Sequence, residues 1–245
     1  LKLKGPSAIP VLRRGTVSED PDVVLFTLQI LGAMPEEDVA PILLGFLSHP
    51  DLNIAQAAVE SLGDLKCRKA VGPLLELLEG DLWLRFAAIL ALGRIGDARA
   101  TLELLKLTGD DSLGTTALEA IGRIGDPSAI EPLCRELVRE DRFPQRDAIL
   151  TAIGECLARA GGEVPRLRDP EAAAALRRDP FRRYLREGLA SETPELRAAA
   201  NRLVAAYGDE TLYPGLVEHL DETAPASGAV SFLGSLPRAK GPREL

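Results

Sequence analysis

A short phrase of small and apolar residues recurs along this chain at nearly constant spacing. It reads Ala-Leu-Gly-Arg-Ile-Gly-Asp at residues 91–97 and Ala-Ile-Gly-Arg-Ile-Gly-Asp-Pro at residues 120–127. We call the first glycine of each phrase the marker, and weaker copies extend the series on both sides. The markers are 31, 30, 29 and 32 residues apart, at Gly32, Gly63, Gly93, Gly122 and Gly154. A period of this length indicates a stack of similar units rather than one irregular core.

Each unit carries the signals of two helices joined by a tight turn. The second glycine of the phrase, as in Gly96, suits the left-handed conformation that ends a helix. The aspartate after it can cap the next helix, and Pro127 fits the first helical position after Asp126. Apolar residues then recur three and four apart, which places them on one helical face. Because glycine inside a helix costs about 1 kcal/mol relative to alanine, the recurring marker predicts a close approach between neighbouring helices.

The pattern is lost after Gly154 and returns near residue 196. Aligning Gly208-Asp209 with Gly96-Asp97 places Ala205 at the marker position, and the next marker is Gly234. The sequence therefore predicts an all-α fold, an α-α superhelix of about seven two-helix repeats. A single solenoid spans residues 1–245, with an irregular arginine-rich insertion at about 155–195. The chain begins at a second helix and its last unit has a weak second half, so the ends are either unusual caps or those of a piece of a longer array.

The phrases at 91–97 and 120–127 resemble the HEAT-like repeats first named for phycobilisome lyases, within the HEAT/armadillo-like class of solenoids. The resemblance covers nearly the whole chain and implies the fold more strongly than any one function. It implies a non-catalytic scaffold or adaptor that binds another protein. The alternative is a bilin lyase or chaperone-like subunit, and a nucleic-acid-binding protein similar to the HEAT-like DNA glycosylases ranks third.

Composition narrows these alternatives. The net charge of −8 argues against nucleic acid, since a protein must neutralise several phosphates to bind a duplex. His49 and His219 have no second ligand at metal-binding spacing, and the three cysteines form no CxxC pair. We therefore predict no catalytic residue, cofactor or metal. With no apolar run long enough for a bilayer and no visible signal peptide, we expect a cytoplasmic, bacterial protein.

Two surfaces are predicted to bind the partner. Residues 139–186 hold eleven arginines and eight acidic residues, and arginine suits carboxylates through its planar fork. This region is expected to recognise an acidic protein surface through Arg177, Arg178, Arg182, Arg183 and Arg186. The groove lined by second helices is expected to contribute Glu76, Glu103, Glu131 and Arg135, with Lys106 and His219 beside them. The alternative is a solvated segment in which the arginines pair locally with Asp169, Glu171, Asp179 and Glu187.

Trp83 is the only tryptophan in the chain. Its place near the start of a first helix allows an interface anchor. Packing between units, with the ring partly buried, is the favoured prediction.

Overall fold

The structure, a computed structural model, describes residues 8–34, 36–160, 167–179 and 181–207. This part of the chain contains α-helices and short 3-10 turns but no β-strand, which confirms the all-helical prediction. The helices are α1 (Ile9–Gly15), α2 (Pro21–Leu31), α3 (Glu36–Leu44), α4 (Leu52–Asp64), α5 (Val71–Glu76), α6 (Leu82–Ile95), α7 (Thr101–Leu107), α8 (Gly114–Ile124), α9 (Ile130–Leu137), α10 (Arg146–Arg159), α11 (Pro170–Ala175), α12 (Phe181–Leu189) and α13 (Pro194–Tyr207).

The helices form two layers. The first helices α2, α4, α6, α8, α10 and α13 each pack against the next in this order. The second helices α3, α5, α7 and α9 alternate with them along the chain. The residue before each marker points into the space between the layers and is fully buried, as at Leu31, Leu62, Leu92, Ile121 and Ile153. Full burial of one such side chain contributes about 1.5–3 kcal/mol, so this row forms the centre of the core.

The predicted helix ends are confirmed. Asp51 and Asp81 accept hydrogen bonds from the backbone N–H groups two residues ahead, at 2.9 and 2.8 Å, and so cap α4 and α6. Gly96 and Gly125 adopt left-handed conformations with φ of 71° and 69°. Each glycine frees the chain to turn into a 3-10 turn that is capped by the following aspartate.

The marker glycines lie where neighbouring first helices touch. A Cβ atom built on Gly63 would be 2.9 Å from the Cα of Ala91, which lies two residues before the next marker. By the same rule, a Cβ on Gly154 would be 2.6 Å from the Cα of Ala199. The marker position in α13 is therefore Asn201.

This register corrects the placement of the marker at Ala205, which is one helical turn too late. Ion pairs between the residues that directly follow each marker support the correction. Arg94 donates to Asp64 at 3.1 Å, and Arg202 donates to Glu155 at 3.2 Å. Gly208, Asp209, His219 and Gly234 lie outside the described residues, so the last predicted repeats and the 1–245 domain span stay predictions.

The second layer of the fifth unit consists of two helices. The sequence Asp-Pro-Glu-Ala at 169–172 repeats the Asp-Pro-Ser-Ala of 126–129, and it begins α11 as the earlier phrase begins the turn before α9. α12 follows. Its residues Phe181, Leu185 and Leu189 are buried in the core together with Leu176. Both helices are therefore built into the solenoid.

Candidate protein-interaction surfaces

The five predicted arginines lie on α12 and on the turn between α11 and α12, and we call them the arginine surface. Four of them are exposed to solvent and Arg182 is half-buried. Arg183 donates through Nε to Glu187 at 3.0 Å, and Arg177 donates to the carbonyl of Tyr207 at 3.5 Å. One arginine thus forms the kind of local ion pair that the solvated-segment alternative describes. The surface consists of Arg177, Arg178, Arg182, Arg183 and Arg186.

α11 is attached to the neighbouring second helix by charged groups. Asp169 accepts hydrogen bonds from the backbone N–H groups of Ala172 and Glu171, at 3.2 and 2.9 Å, and these bonds hold the pKa of its carboxyl below the usual range. Arg135 on α9 donates to the same carboxylate at 2.7 Å. Glu131 accepts from Arg135 at 3.0 Å and from the backbone N–H of Asp169 at 2.9 Å. Glu131 and Arg135 therefore have a structural role, and their contact with a partner stays a prediction.

α12 is held by an aromatic contact at its centre. The Tyr184 hydroxyl donates to Asp147 at 2.8 Å, and burial together with this bond raises the pKa of Tyr184. The guanidinium of Arg146 lies 6.0 Å from the centre of the Tyr184 ring, within the range of a cation–π contact. The backbone that carries Arg182, Arg183 and Arg186 is therefore fixed to α10.

The remaining predicted residues belong to earlier second helices. Glu76 is exposed at the end of α5. Glu103 on α7 accepts from the ammonium of Lys106 at 2.7 Å. These two glutamates lie on helices other than those of the arginine surface, so they would form a separate contact region.

The described part of the chain contains no group of three or more His, Cys, Asp or Glu side chains placed to hold a metal ion. All three cysteines are buried as thiols. Burial raises the pKa of Cys134 and Cys156 to about 12. Because the thiolate is the reactive form, these two thiols are inert near neutral pH. Within the described residues, no helix has the length and apolar character to cross a membrane.

The prediction that Trp83 is partly buried between units is wrong, because the residue is 70% exposed. The reason is its position. It lies two residues after the cap of α6, on the side that faces neither the second layer nor the adjacent first helices. Phe86 and Leu82 on the same helix are exposed as well. Comparing equivalent positions between units would have revealed this surface in the sequence.

A model of the HEAT-repeat family matches residues 45–115 and 85–154. Residues 45–154 are HEAT repeats. The more specific resemblance to the phycobilisome-lyase type is not confirmed by this match. A comparison of the sequence with curated proteins finds no significant match.

Solved structures with the same fold extend the likeness beyond the HEAT repeats of 45–154. A designed armadillo repeat protein is 17% identical, with a TM-score of 0.55 over 81% of this chain and 99% of its own. A second designed armadillo repeat protein, in complex with the peptide (KR)4, is 16% identical, with a TM-score of 0.54 over 81% and 98% of the two chains. An engineered protein is 18% identical, with a TM-score of 0.53 over 84% and 97%. At such identities these structures establish the solenoid fold and nothing further.

Proposed function

We propose that this chain is a non-catalytic scaffold whose arginine surface binds an acidic segment of a partner protein. One observation carries the proposal: exposed arginines lie on α12 and on the turn that follows α11, and these two helices are anchored to α10 and to α9, respectively. A fixed backbone lowers the entropy that binding must overcome, and guanidinium groups form paired hydrogen bonds with carboxylates. Many solenoids bind partners along extended surfaces, which fits a scaffold.

One of the structurally similar proteins is seen with a charged peptide. One designed armadillo repeat protein is seen with the basic peptide (KR)4. The same principle with the charges reversed would apply to the arginine surface here, because complementary charges speed association and select the partner. The bilin-lyase alternative depends on the family resemblance alone, and no observation favours it. The cytoplasmic location and the bacterial source stay predictions from the sequence.

The test compares two charge-reversal variants with equal numbers of changes. Arg178→Glu with Arg186→Glu alters the arginine surface, whereas Arg13→Glu with Arg14→Glu alters exposed positions on α1. The anisotropy of a labelled acidic peptide, (Asp-Glu)4, is measured against each protein. We expect the first variant to bind at least about tenfold more weakly and the second to bind like wild type. Affinity should also fall as salt is added.

Equal binding by both variants would contradict the proposal. It would favour the alternative in which the arginines belong to a solvated segment and pair locally with acidic residues. Capture from host lysate with the same two variants then identifies the natural partner. A protein that is retained by the α1 variant and lost by the arginine variant is the expected result.

A further inference from the structure

The solvent-facing stripe of α6 differs from that of the neighbouring first helices. The residues ten, seven and three positions before the marker lie on the outer side of each first helix. In α4 they are Asn53, Gln56 and Glu60, and in the α8 unit they are Ser112, Thr115 and Glu119. In α6 the same positions hold Trp83, Phe86 and Leu90. Of these three units, only that of α6 has apolar residues at all three positions.

These side chains are exposed or only partly buried. Trp83 is 70% exposed and Phe86 is 42% exposed, while Leu90 is half-buried. Leu82, one position before Trp83, is 50% exposed, and Leu52 at the equivalent position of α4 is 44% exposed. Single exposed apolar residues are ordinary, but a row of large apolar side chains that includes two aromatic residues is typical of a binding surface. We call Leu82, Trp83, Phe86 and Leu90 the α6 patch.

Acidic residues surround the N-terminal end of this patch. The carboxylate of Asp81 accepts from the backbone N–H of Trp83 at 2.8 Å. Asp110 is brought to the same edge by an ion pair with Arg85 at 3.8 Å, and Asp111 follows it. With Glu79, which precedes the helix in the sequence, these residues supply four carboxylates, and Arg85 supplies one positive charge, so the five residues together carry a net charge of −3. Along the sides, Glu60 and Glu119 occupy the stripes of α4 and α8.

We propose that the α6 patch is a second docking surface, which binds a protein segment that combines an apolar face with lysine or arginine residues. Buried aromatic side chains often contribute most of the binding energy of an interface, and Trp83 and Phe86 could do so here. The carboxylates at the edge favour a segment with lysine or arginine beside its apolar face. This surface is separate from the arginine surface, which attracts the opposite charge. The chain thus presents two sites with opposite preferences, as a scaffold that joins two partners requires.

The single tryptophan reports directly on this surface. The probe is a labelled helical peptide with leucines on one face and lysines on the other, and its twin has glutamate in place of each lysine. We expect the lysine peptide to shift Trp83 emission to the blue and to protect the ring from a soluble quencher. The glutamate peptide should do neither. Trp83→Ser with Phe86→Ser should weaken binding of the labelled lysine peptide by roughly 30-fold, as expected for loss of an interface anchor.

The matched control is Leu102→Ser on α7, which removes a side chain of similar exposure, 66%, away from the patch. It should leave the affinity unchanged, as should the Arg178→Glu and Arg186→Glu variant, so this proposal and the proposed function fail independently. Equal binding to the patch variant and to wild type would overturn the inference. Equal binding of both peptides by wild type would also overturn it. Self-association of wild type that the patch variant abolishes, without peptide binding, would instead assign the patch to a second copy of the chain.

Discussion

At the scale of single residues, the stack depends on how closely two first helices can approach. Gly63 and Gly93 lie at the crossing points, where a built Cβ would be 2.9 and 3.0 Å from the Cα atoms of Ala91 and Ala120. The partner atoms belong to the backbone, so a methyl group cannot be accommodated by rotating a side chain. The helices would have to separate, which loses dispersion contacts along the whole crossing.

Gly63→Ala should therefore destabilise the fold by about 1–3 kcal/mol, the usual effect of overpacking, although alanine is the better helix former. Gly72→Ala is the matched control, because a Cβ there would meet nothing within 4 Å inside α5. That change should alter the stability by less than about 1 kcal/mol, because the helix preference of alanine is offset by its contact with the ring of Pro73. Urea denaturation of both variants measures the difference. A Gly63→Ala protein as stable as Gly72→Ala would show that the markers are not packing positions.

The sequence predicted these residue-level features where a local rule determines them. The aspartate caps and the left-handed glycines follow from backbone chemistry that acts within a few residues. The marker in α13 could not be placed in the same way. Asn201 takes the position because Ala199 packs on Gly154 and Arg202 pairs with Glu155, and both contacts cross the irregular stretch between the units. The alignment of Gly208-Asp209 with Gly96-Asp97 therefore placed the marker at the wrong residue.

At the scale of elements, one buried carboxylate joins successive second helices. Asp97 is 4% exposed and accepts from the guanidinium groups of Arg99 and Arg68, at 2.9 and 3.1 Å. Arg99 also donates to the carbonyl of Arg68, so the beginnings of two second-layer segments are linked. The hydrogen bond from Arg99 is the largest reason that the pKa of Asp97 lies far below its ordinary value, with a smaller share from Arg68.

Asp97→Asn should cost about 1–3 kcal/mol near neutral pH, because the charged acceptor is lost from a buried site. The depressed pKa of Asp97 in the folded state means that its contribution is complete above the unfolded pKa of about 4 and is lost as the pH falls below it. The stability gap between wild type and the variant should therefore narrow under acid. Asp64→Asn, which removes an exposed ion pair with Arg94, should cost less than about 1 kcal/mol. A gap that stays constant with pH would contradict this assignment.

The elements themselves were only partly predictable. α11 lies within the segment that was expected to be irregular, although its Asp-Pro cap repeats the phrase before α9 and so indicates a helix in the sequence. The exposed face of α6 was harder to predict from the sequence, because apolar residues on every side of a helix usually indicate full burial. Burial depends on what lies beside each face, and the outer face of α6 has no neighbouring element among the described residues that covers Trp83.

At the scale of the whole molecule, the main contacts between first helices of the described residues join successive units, so stability should be close to a sum over units and interfaces. The acidic edge beside α6 and the arginine surface, which lies on α12 and on the turn before it, belong to different units. Such an array can carry two sites without bringing them into one pocket. Whether the two sites are independent can be tested by truncating one core side chain and measuring which helices are destabilised.

Leu92→Ala and Leu12→Ala make this comparison. Leu92 is fully buried in α6, which packs against both α4 and α8, whereas Leu12 lies in α1, the first helix of the described residues. The first change should cost about 2–5 kcal/mol and speed hydrogen exchange in α4, α6 and α8. The second should speed exchange in α1 and the adjoining part of α2, with exchange in α8 and α10 unchanged. If Leu12→Ala loosened α10 as much as α1, the units would unfold as one body. The two binding surfaces would then be coupled, because a partner that stabilised one would also stabilise the other.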